Sequence, residues 1–139
     1  MKVNRKGKRL VLFLFVIIAI SIIAYLFRPA PDCVCNKASK ETLLASQLIE
    51  QYETDEKQAN NNYLGKIITV KGKIASVKTD YLKRTVVEFE SQSIGTVSCT
   101  LCKKESKAGI VTVGKTVSIK GECTGFTVDA ILVKCCLED

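Results

Sequence analysis

An uncharged apolar segment near the N-terminus constrains this chain more than any other feature. Residues 10–27 (LVLFLFVIIAISIIAYLF) carry no charge and only one polar side chain, Ser21. A helix of this length, rising 1.5 Å per residue, is roughly 27 Å long and matches the hydrocarbon thickness of a bilayer. The sequence therefore predicts a transmembrane anchor at residues 10–27, between a basic stub at residues 1–9 and a soluble domain.

The charges around this segment predict its orientation. The stub holds no acidic residue, and its five basic residues are Lys2, Arg5, Lys6, Lys8 and Arg9. Basic residues are enriched on the cytoplasmic side of membrane helices. We therefore expect a single-pass protein of the cytoplasmic membrane whose C-terminal domain faces the periplasm or the cell exterior.

A cleaved N-terminal signal is the alternative to an anchor. The apolar part of a signal peptide is usually shorter, about 7–15 residues, and a small-x-small cleavage site follows it. Here Arg28-Pro29-Ala30-Pro31 follows, which is a poor site. Lipoprotein processing at Cys33 favours a small residue immediately before the cysteine, where this chain has Asp32. The sequence favours an uncleaved anchor.

The positive charge of the chain lies mostly outside the soluble domain. The formal net charge is +7, but residues 40–139 hold fourteen Lys or Arg and thirteen Asp or Glu. A basic domain is a common sign of nucleic-acid binding. This domain, with a net charge near +1, does not carry that sign.

Two prolines, Pro29 and Pro31, mark residues 28–39 as a linker. Ser39 is a suitable N-cap for an amphipathic helix that we expect to run to about Asn60. Its apolar stripe consists of Ala45, Leu48, Ile49, Tyr52, Ala59 and Tyr63. This stripe predicts a helix that packs against a core.

The remainder of the chain predicts a small β-barrel. Alternating apolar and polar residues indicate five strands, at residues 66–77, 84–90, 95–101, 115–123 and 128–137. Residues 103–111 are long enough to hold a short helix between the third and fourth strands. The first and fourth strands share a central Lys-Gly, at Gly72 and Gly121, and glycine inside a strand often marks a barrel corner. The predicted fold is mainly β, a five-stranded OB-fold barrel preceded by an amphipathic helix, at residues 40–139.

An ordered series of short motifs between residues 41 and 137 resembles the tRNA_anti-like family. The motifs are Tyr52, Asp55-Glu56, Ala59-Asn60, Tyr63-Leu64-Gly65-Lys66, Val70-Lys71-Gly72-Lys73-Ile74, Val97-Ser98-Cys99, Val113-Gly114-Lys115, Val117-Ser118-Ile119-Lys120-Gly121-Glu122-Cys123-Thr124-Gly125 and Asp129-Ala130-Ile131-Leu132-Val133-Lys134-Cys135. The resemblance implies an OB-fold in a secreted or membrane-tethered bacterial protein. It implies no established activity.

Seven cysteines suit a small domain outside the cytoplasm, where disulfides form. Strand alternation predicts that Cys99, Cys123 and Cys135 point into the barrel, so a pair drawn from these three is the leading disulfide candidate. Because seven is an odd number, at least one thiol is free or bonded to another chain. Cys33 and Cys35, on the linker, are candidates for an intermolecular disulfide.

Two more specific interpretations of the cysteines are weaker. Cys99-Thr100-Leu101-Cys102 has the spacing of a thiol oxidoreductase, but such motifs begin a helix and this one lies at the end of a predicted strand. Cys99 and Cys102 with Cys135 and Cys136 match the ligand count of a zinc site. Adjacent cysteines on one strand, however, point to opposite faces.

The missing residue types exclude several kinds of catalysis. The chain contains no histidine, so a Ser–His or Cys–His arrangement and imidazole-bound metals cannot form. Glu88 and Glu90 are spaced for one outer strand face, which is typical of a solvated surface. We expect no cofactor, no metal and no catalytic activity.

The loops of an OB-fold are its usual ligand sites, and they give the candidate binding residues Tyr81, Lys83, Arg84 and Phe126. Nucleic-acid sites on OB-folds need several stacking aromatics, and few are available here. The sequence thus predicts a membrane-anchored module that binds an envelope protein, a peptide or a small ligand. A nucleic-acid-binding protein, and an enzyme or thiol-redox protein of unrecognised type, are the alternatives.

Overall fold

The computed structural model describes residues 5–27, 33–105 and 111–138. The chain divides into two compact units, Met1–Pro31 and Asp32–Asp139.

In the described part of the first unit, residues Arg5–Leu26 form helix α1. From residue 13 onward its side chains are exposed, and they include large apolar groups such as Phe13, Phe15 and Leu26. Within the parts of the chain that the structure describes, no helix combines the length and the apolar character needed to cross a membrane.

The second unit is a closed β-barrel with two helices before it. Its elements are β1 (Thr42–Leu44), α2 (Ala45–Thr54), α3 (Glu56–Tyr63), β2 (Ile67–Thr79), β3 (Thr85–Phe89), β4 (Val97–Leu101), β5 (Thr116–Phe126) and β6 (Ala130–Glu138). The strands follow the order β1-β2-β3-β4-β6-β5, and β2 pairs with β5 to close the barrel. Strands β2 to β6 are the five that the sequence predicts, and their arrangement confirms the OB-type barrel.

The long strand β2 pairs with two different strands, and this double pairing closes the sheet into a barrel. Its first half, from Ile67 to Lys73, pairs with β5, and its second half, from Ile74 to Thr79, pairs with β3. Gly72 lies at the change of partner. A Cβ there would come within 2.8 Å of the Phe89 ring and 3.1 Å of Ala45, so glycine is required for α2 and β3 to approach the bend.

The helical region differs from the single helix predicted from Ser39 to Asn60. Thr42–Leu44 forms β1, parallel to β2, and α2 begins only at Ala45. Ser39 is not the N-cap, because its hydroxyl donates to the carbonyl of Glu41. The helix also breaks at Asp55, which has extended backbone angles and accepts a hydrogen bond from the Gln58 amide as the cap of α3.

The predicted apolar stripe does form the face that packs on the barrel. Tyr52 lies at its centre, 2% exposed, and its ring stacks on Phe126 with centroids 5.0 Å apart. The other members of the stripe are also buried, namely Ala45, Leu48, Ile49, Ala59 and Tyr63. The helices therefore close the core at one side of the barrel.

The start of the second unit lies on the barrel as well. Val34 is fully buried, and its amide donates to the carbonyl of Lys134. Lys40 donates its amide to the carbonyl of Ile67. The described part of the predicted linker therefore packs against the domain. The helix considered for residues 103–111 lies largely outside the described residues, and residues 103–105 form a turn.

Candidate binding face

The candidate binding face is the outer surface of β2, β3 and β4, which is bounded at each end by loops of the barrel. Alternation along β3 buries Val87 and Phe89 and turns Val86 and Glu88 outward. On β4 the same alternation turns Ser98 and Thr100 outward. We call this surface, together with Ile131 of β6 beside Ser98, the outer face; it consists of Ser76, Lys78, Val86, Glu88, Ser98, Thr100 and Ile131.

Glu88 lies at the centre of the outer face, where a lysine balances the charge of its carboxylate. Its carboxylate accepts hydrogen bonds from the ammonium of Lys78, at 2.7 Å, and from the hydroxyl of Ser76. These two bonds lower the pKa of Glu88. The centre of the face is therefore a satisfied ion pair flanked by hydroxyl groups.

The β2–β3 hairpin bounds one end of the face, and Asp80 holds its shape. The Asp80 carboxylate accepts from the amides of Leu82 and Arg84 and from the guanidinium of Arg84. These bonds lower the pKa of Asp80. Lys83 has a positive φ of 58°, a conformation that the tight turn imposes. Tyr81, at the tip, is 91% exposed.

Two neighbouring loops bound the opposite end. Gly95 follows Ile94, and its Cα packs so closely on the carbonyl of Val128 that a Cβ would clash. The Thr96 amide donates to the Asp129 carboxylate at 2.9 Å, which ties the β3–β4 loop to the β5–β6 turn. Ile94 is 97% exposed and Val128 is 61% exposed. This end therefore presents a pair of apolar side chains to solvent.

The strand register shows that the four predicted binding residues fall into two groups. Val86 lies opposite Thr100, near the end of β4, so Tyr81, Lys83 and Arg84 lie at that end. Val97, the start of β4, lies beside Ala130, so Phe126 lies at the other end. Strand β4, which runs between the two groups, is roughly 13 Å long at about 3.3 Å per residue.

Two of these residues are engaged within the domain. Arg84 is ion-paired with Asp80 at 2.8 Å, and the Phe126 ring is half-buried against Tyr52. Tyr81 and Lys83 are exposed. Sequence reasoning missed Leu82, Ile94 and Val128. The signal of Leu82 and Ile94 is a large apolar residue in a turn, whereas Val128 was assigned to the fifth predicted strand, which in the structure begins at Ala130.

Glu88, in β3, and Glu90, just after it, are ion-paired with different lysines. Glu88 pairs with Lys78, whereas Glu90 pairs with Lys73 at 3.0 Å on an exposed part of the surface. Each carboxylate thus has its own lysine, as expected for a solvated strand face.

The disulfide differs from the predicted one. Cys33 is bonded to Cys102, while Cys99, Cys123 and Cys135 are free thiols in the barrel. All three point inward, as alternation predicts, and are fully buried. Cys99 lies opposite Leu132 and Cys135 opposite Leu101, so these two are diagonal neighbours and not a directly facing pair. Their thiols lie close together but are not bonded. The Cys123 sulfur instead contacts the Tyr52 hydroxyl at 3.4 Å.

This pairing also bears on the other interpretations of the cysteines. Cys33 is bonded within the chain, so it is not the link to a second chain, and Cys102 is not half of a redox pair with Cys99. Cys135 is 0% exposed inside the barrel, whereas Cys136 lies on the outer side, so these two cannot share a zinc ion with Cys99 and Cys102. The sulfurs that do converge are those of Cys33, Cys35 and Cys102, all within 4.8 Å of one another.

Two clefts lie away from the outer face. One, of about 280 Å³, separates α2 from α3 and is lined by residues including Glu50, Asp55 and Asn62. The other, of about 340 Å³, runs along β5 beside Lys71 and Glu138. Neither receives any of the predicted binding residues.

The closed five-stranded barrel and its loop-bounded outer face define an OB-fold domain. The chain matches the model of the tRNA_anti-like family over residues 1–137 and belongs to that family, which confirms the resemblance in the sequence. Its structure is similar to the crystal structure of a "putative nucleic acid-binding lipoprotein" from Klebsiella pneumoniae subsp. pneumoniae MGH 78578. The TM-score is 0.57 at 14% identity, and the match covers 81% of this chain and 100% of that one. This likeness concerns the fold. No curated protein matches the chain.

Proposed function

We propose that this protein is a membrane-anchored binding module of the bacterial cell envelope, whose OB-fold domain holds a protein, a peptide or a small uncharged ligand on its outer face. The observation that carries the proposal is the composition of that face. Exposed apolar side chains stand at both ends (Tyr81 and Leu82, Ile94 and Val128), and hydroxyl groups with an internally neutralised ion pair lie between them. Apolar ends and a neutral centre suit an uncharged partner surface.

The anchor is the second part of the proposal. Residues 10–27 carry no charge, and the described apolar side chains of α1 are exposed around the helix. A helix that is apolar all round is favoured in a membrane or a protein core. Attachment through a lipid on Cys33 is disfavoured by the structure, because its sulfur is bonded to Cys102. The basic stub supports an orientation with the domain on the far side of the membrane.

The outer face offers little for catalysis. The chain has no histidine, and its two neighbouring carboxylates, Glu88 and Glu90, are each paired with a lysine. Neither the family name nor the name of the Klebsiella protein describes an enzyme. A binding role is the simpler proposal.

Nucleic-acid binding is the second candidate, favoured by the name of the Klebsiella protein. The outer face argues against it here. None of the outward side chains of β3 and β4, two strands that the structure describes completely, is aromatic, so these strands offer bases no platform for stacking. Lys78 and Arg84 are already paired with Glu88 and Asp80.

Site-specific photo-crosslinking in living cells tests the binding face. A photoreactive residue at Tyr81 or at Val128 of the full chain should give the same crosslinked partner, because the two positions bound one face. Lys57, exposed on α3, is the matched control and should not. Changing Val86 to Glu should abolish the crosslink from Tyr81. Equal crosslinking from Lys57, or crosslinking unaffected by the Val86→Glu change, would contradict the proposed face.

The orientation has its own test. A cysteine placed at Tyr81 should react with a membrane-impermeant maleimide in cells stripped of any outer membrane. A cysteine placed at Lys2 should react only after lysis. The reverse result would show that the domain is cytoplasmic.

A further inference from the structure

The beginning of the OB-fold domain brings two cysteines to the same end of the barrel as two others. Cys33-Val34-Cys35 lies along the end of β6, where the Val34 amide donates to the carbonyl of Lys134 at 3.1 Å. Cys33 is bonded to Cys102, just beyond β4. The Cys35 sulfur lies within 4.8 Å of both bonded sulfurs.

The fourth cysteine of this group is Cys136, on the outer side of β6. It is 2% exposed. Burial raises the pKa of the Cys136 thiol, and the thiol of Cys35 lies close enough to raise it further. Within residues 33–35, Cys33 is thus bonded to Cys102 of the barrel, and the Cys35 thiol lies beside the Cys136 thiol.

We infer that Cys35 and Cys136 form a second disulfide, so that two neighbouring bridges clamp residues 33–35 onto the ends of β4 and β6. This assignment also accounts for the odd number of cysteines. Seven cysteines less two bridges leave three thiols, Cys99, Cys123 and Cys135, which are the three enclosed in the barrel. Inside the core they are closed to an external oxidant.

The bridge forms by two thiol–disulfide exchanges with a small or protein disulfide, RSSR. Cys35 is half-buried, so its thiolate attacks one sulfur of RSSR, forms a mixed disulfide and releases RS⁻. The Cys136 thiolate then attacks the Cys35 sulfur and releases the second RS⁻. Two protein thiols are oxidised, RSSR is reduced to two RSH, and the thiol protons go to the released thiolates.

The surroundings of the two cysteines agree with this order of steps. Burial raises the pKa of Cys136 to about 12, so it suits the second step, in which the target is already beside it. The ammonium of Lys120, whose own pKa is raised by Glu138, acts on Cys136 in the opposite direction and favours its thiolate. In the cell, access to an oxidant rests on the proposed location in the envelope. With purified protein the oxidant is added, so the formation of the bridge does not rest on that location.

Counting free thiols in the full chain tests the inference. The purified protein, incubated with oxidised glutathione, is denatured without reduction and labelled with a mass-tagged maleimide. We expect three labels on the natural chain, four on Cys35→Ser or Cys136→Ser, and three on the double variant. Cys99→Ser is the matched control, with two labels expected.

Peptide mapping of the non-reduced protein identifies the partner of Cys35. A peptide that joins Cys35 to Cys136 supports the inference even if one serine variant folds poorly. Five labels on the natural chain, a Cys35-linked covalent dimer, or a bound zinc ion that keeps Cys35 and Cys136 unbridged would each overturn it. None of these outcomes bears on ligand binding at the outer face, so the two proposals fail separately.

Discussion

The ring of Tyr52 in α2 stacks on the ring of Phe126 at the end of β5, with centroids 5.0 Å apart and planes inclined by 13°. The Tyr52 hydroxyl continues this contact to the sulfur of Cys123 at 3.4 Å. Burial, the largest cause, raises the pKa of Tyr52. The two rings therefore pack the helices against the barrel, and Phe126 is part of this packing.

Phe126→Ala should destabilise the domain by about 2–3 kcal/mol, somewhat less than the loss for a fully buried phenylalanine. Tyr81→Ala is the matched control: Tyr81 is 91% exposed, and its removal should change the free energy of unfolding by less than about 0.5 kcal/mol. Urea denaturation followed by circular dichroism measures both. Equal effects of the two substitutions would show that the stacking does not stabilise the fold.

Gly121→Ala should destabilise the barrel by about 1–3 kcal/mol, because the added methyl group would lie 2.4 Å from the sulfur of Cys135. Removing that sulfur with Cys135→Ala should recover part of the loss. The double variant is then more stable than the sum of the single effects predicts, by about 1 kcal/mol. Ser118→Ala, half-exposed on the same strand, controls for an effect of strand composition. Strict additivity in thermal or urea unfolding would exclude the close contact.

Glu138→Gln should cost about 1–2 kcal/mol, below the cost of breaking a fully buried pair, because Glu138 is partly exposed. Lys120, 8% exposed, would lose the opposite charge that lies 2.7 Å away. Glutamine keeps a single acceptor oxygen, so either the Lys120 ammonium or the Thr69 hydroxyl would lose its acceptor. Glu90→Gln, which removes an exposed pair with Lys73, should have little effect.

The pH dependence of this difference follows from the two pKa shifts. The hydrogen bond from Lys120 lowers the pKa of Glu138 below its ordinary 4.5, so the carboxylate stabilises above pH 4.5 and its contribution is lost as the pH falls through the lowered value. The pKa of Lys120 is raised above 10.5, so its contribution is present below pH 10.5 and is lost as the pH rises further. The natural chain and Glu138→Gln should therefore differ most between these limits and converge in acid. A difference independent of pH would contradict the ion pair.

Nucleic acid should bind the OB-fold domain no more tightly than roughly 10⁻⁴ M near physiological salt, the weak end of non-specific binding. Any stronger binding by the full chain should come from its basic stub and disappear when the five charges of the stub are neutralised. Fluorescence anisotropy with single-stranded DNA and RNA measures this. Micromolar binding that survives neutralisation of the stub and is lost on Tyr81→Ala would favour the nucleic-acid candidate.

Local sequence patterns were sufficient for much of this architecture. Alternation of apolar residues along β3 and β4 predicts which side chains are buried, and it correctly turns Cys99, Cys123 and Cys135 inward. The central glycines of β2 and β5 predict the bends. These features depend on residues one or two positions apart in the chain, so the order of apolar, polar and glycine residues is enough to predict them.

The sequence by itself determined the five strands, the inward face of each, the helical stripe that covers the core and the uncharged segment before the domain. Only the tertiary structure decided that Cys33 pairs with Cys102, 69 residues away, that Phe126 stacks on Tyr52, and that Asp55 divides the helix. The physical reason is that pairing and stacking depend on register between strands and on where the chain returns over the barrel. Both depend on contacts between residues far apart in the chain, which alternation and helical periodicity do not encode.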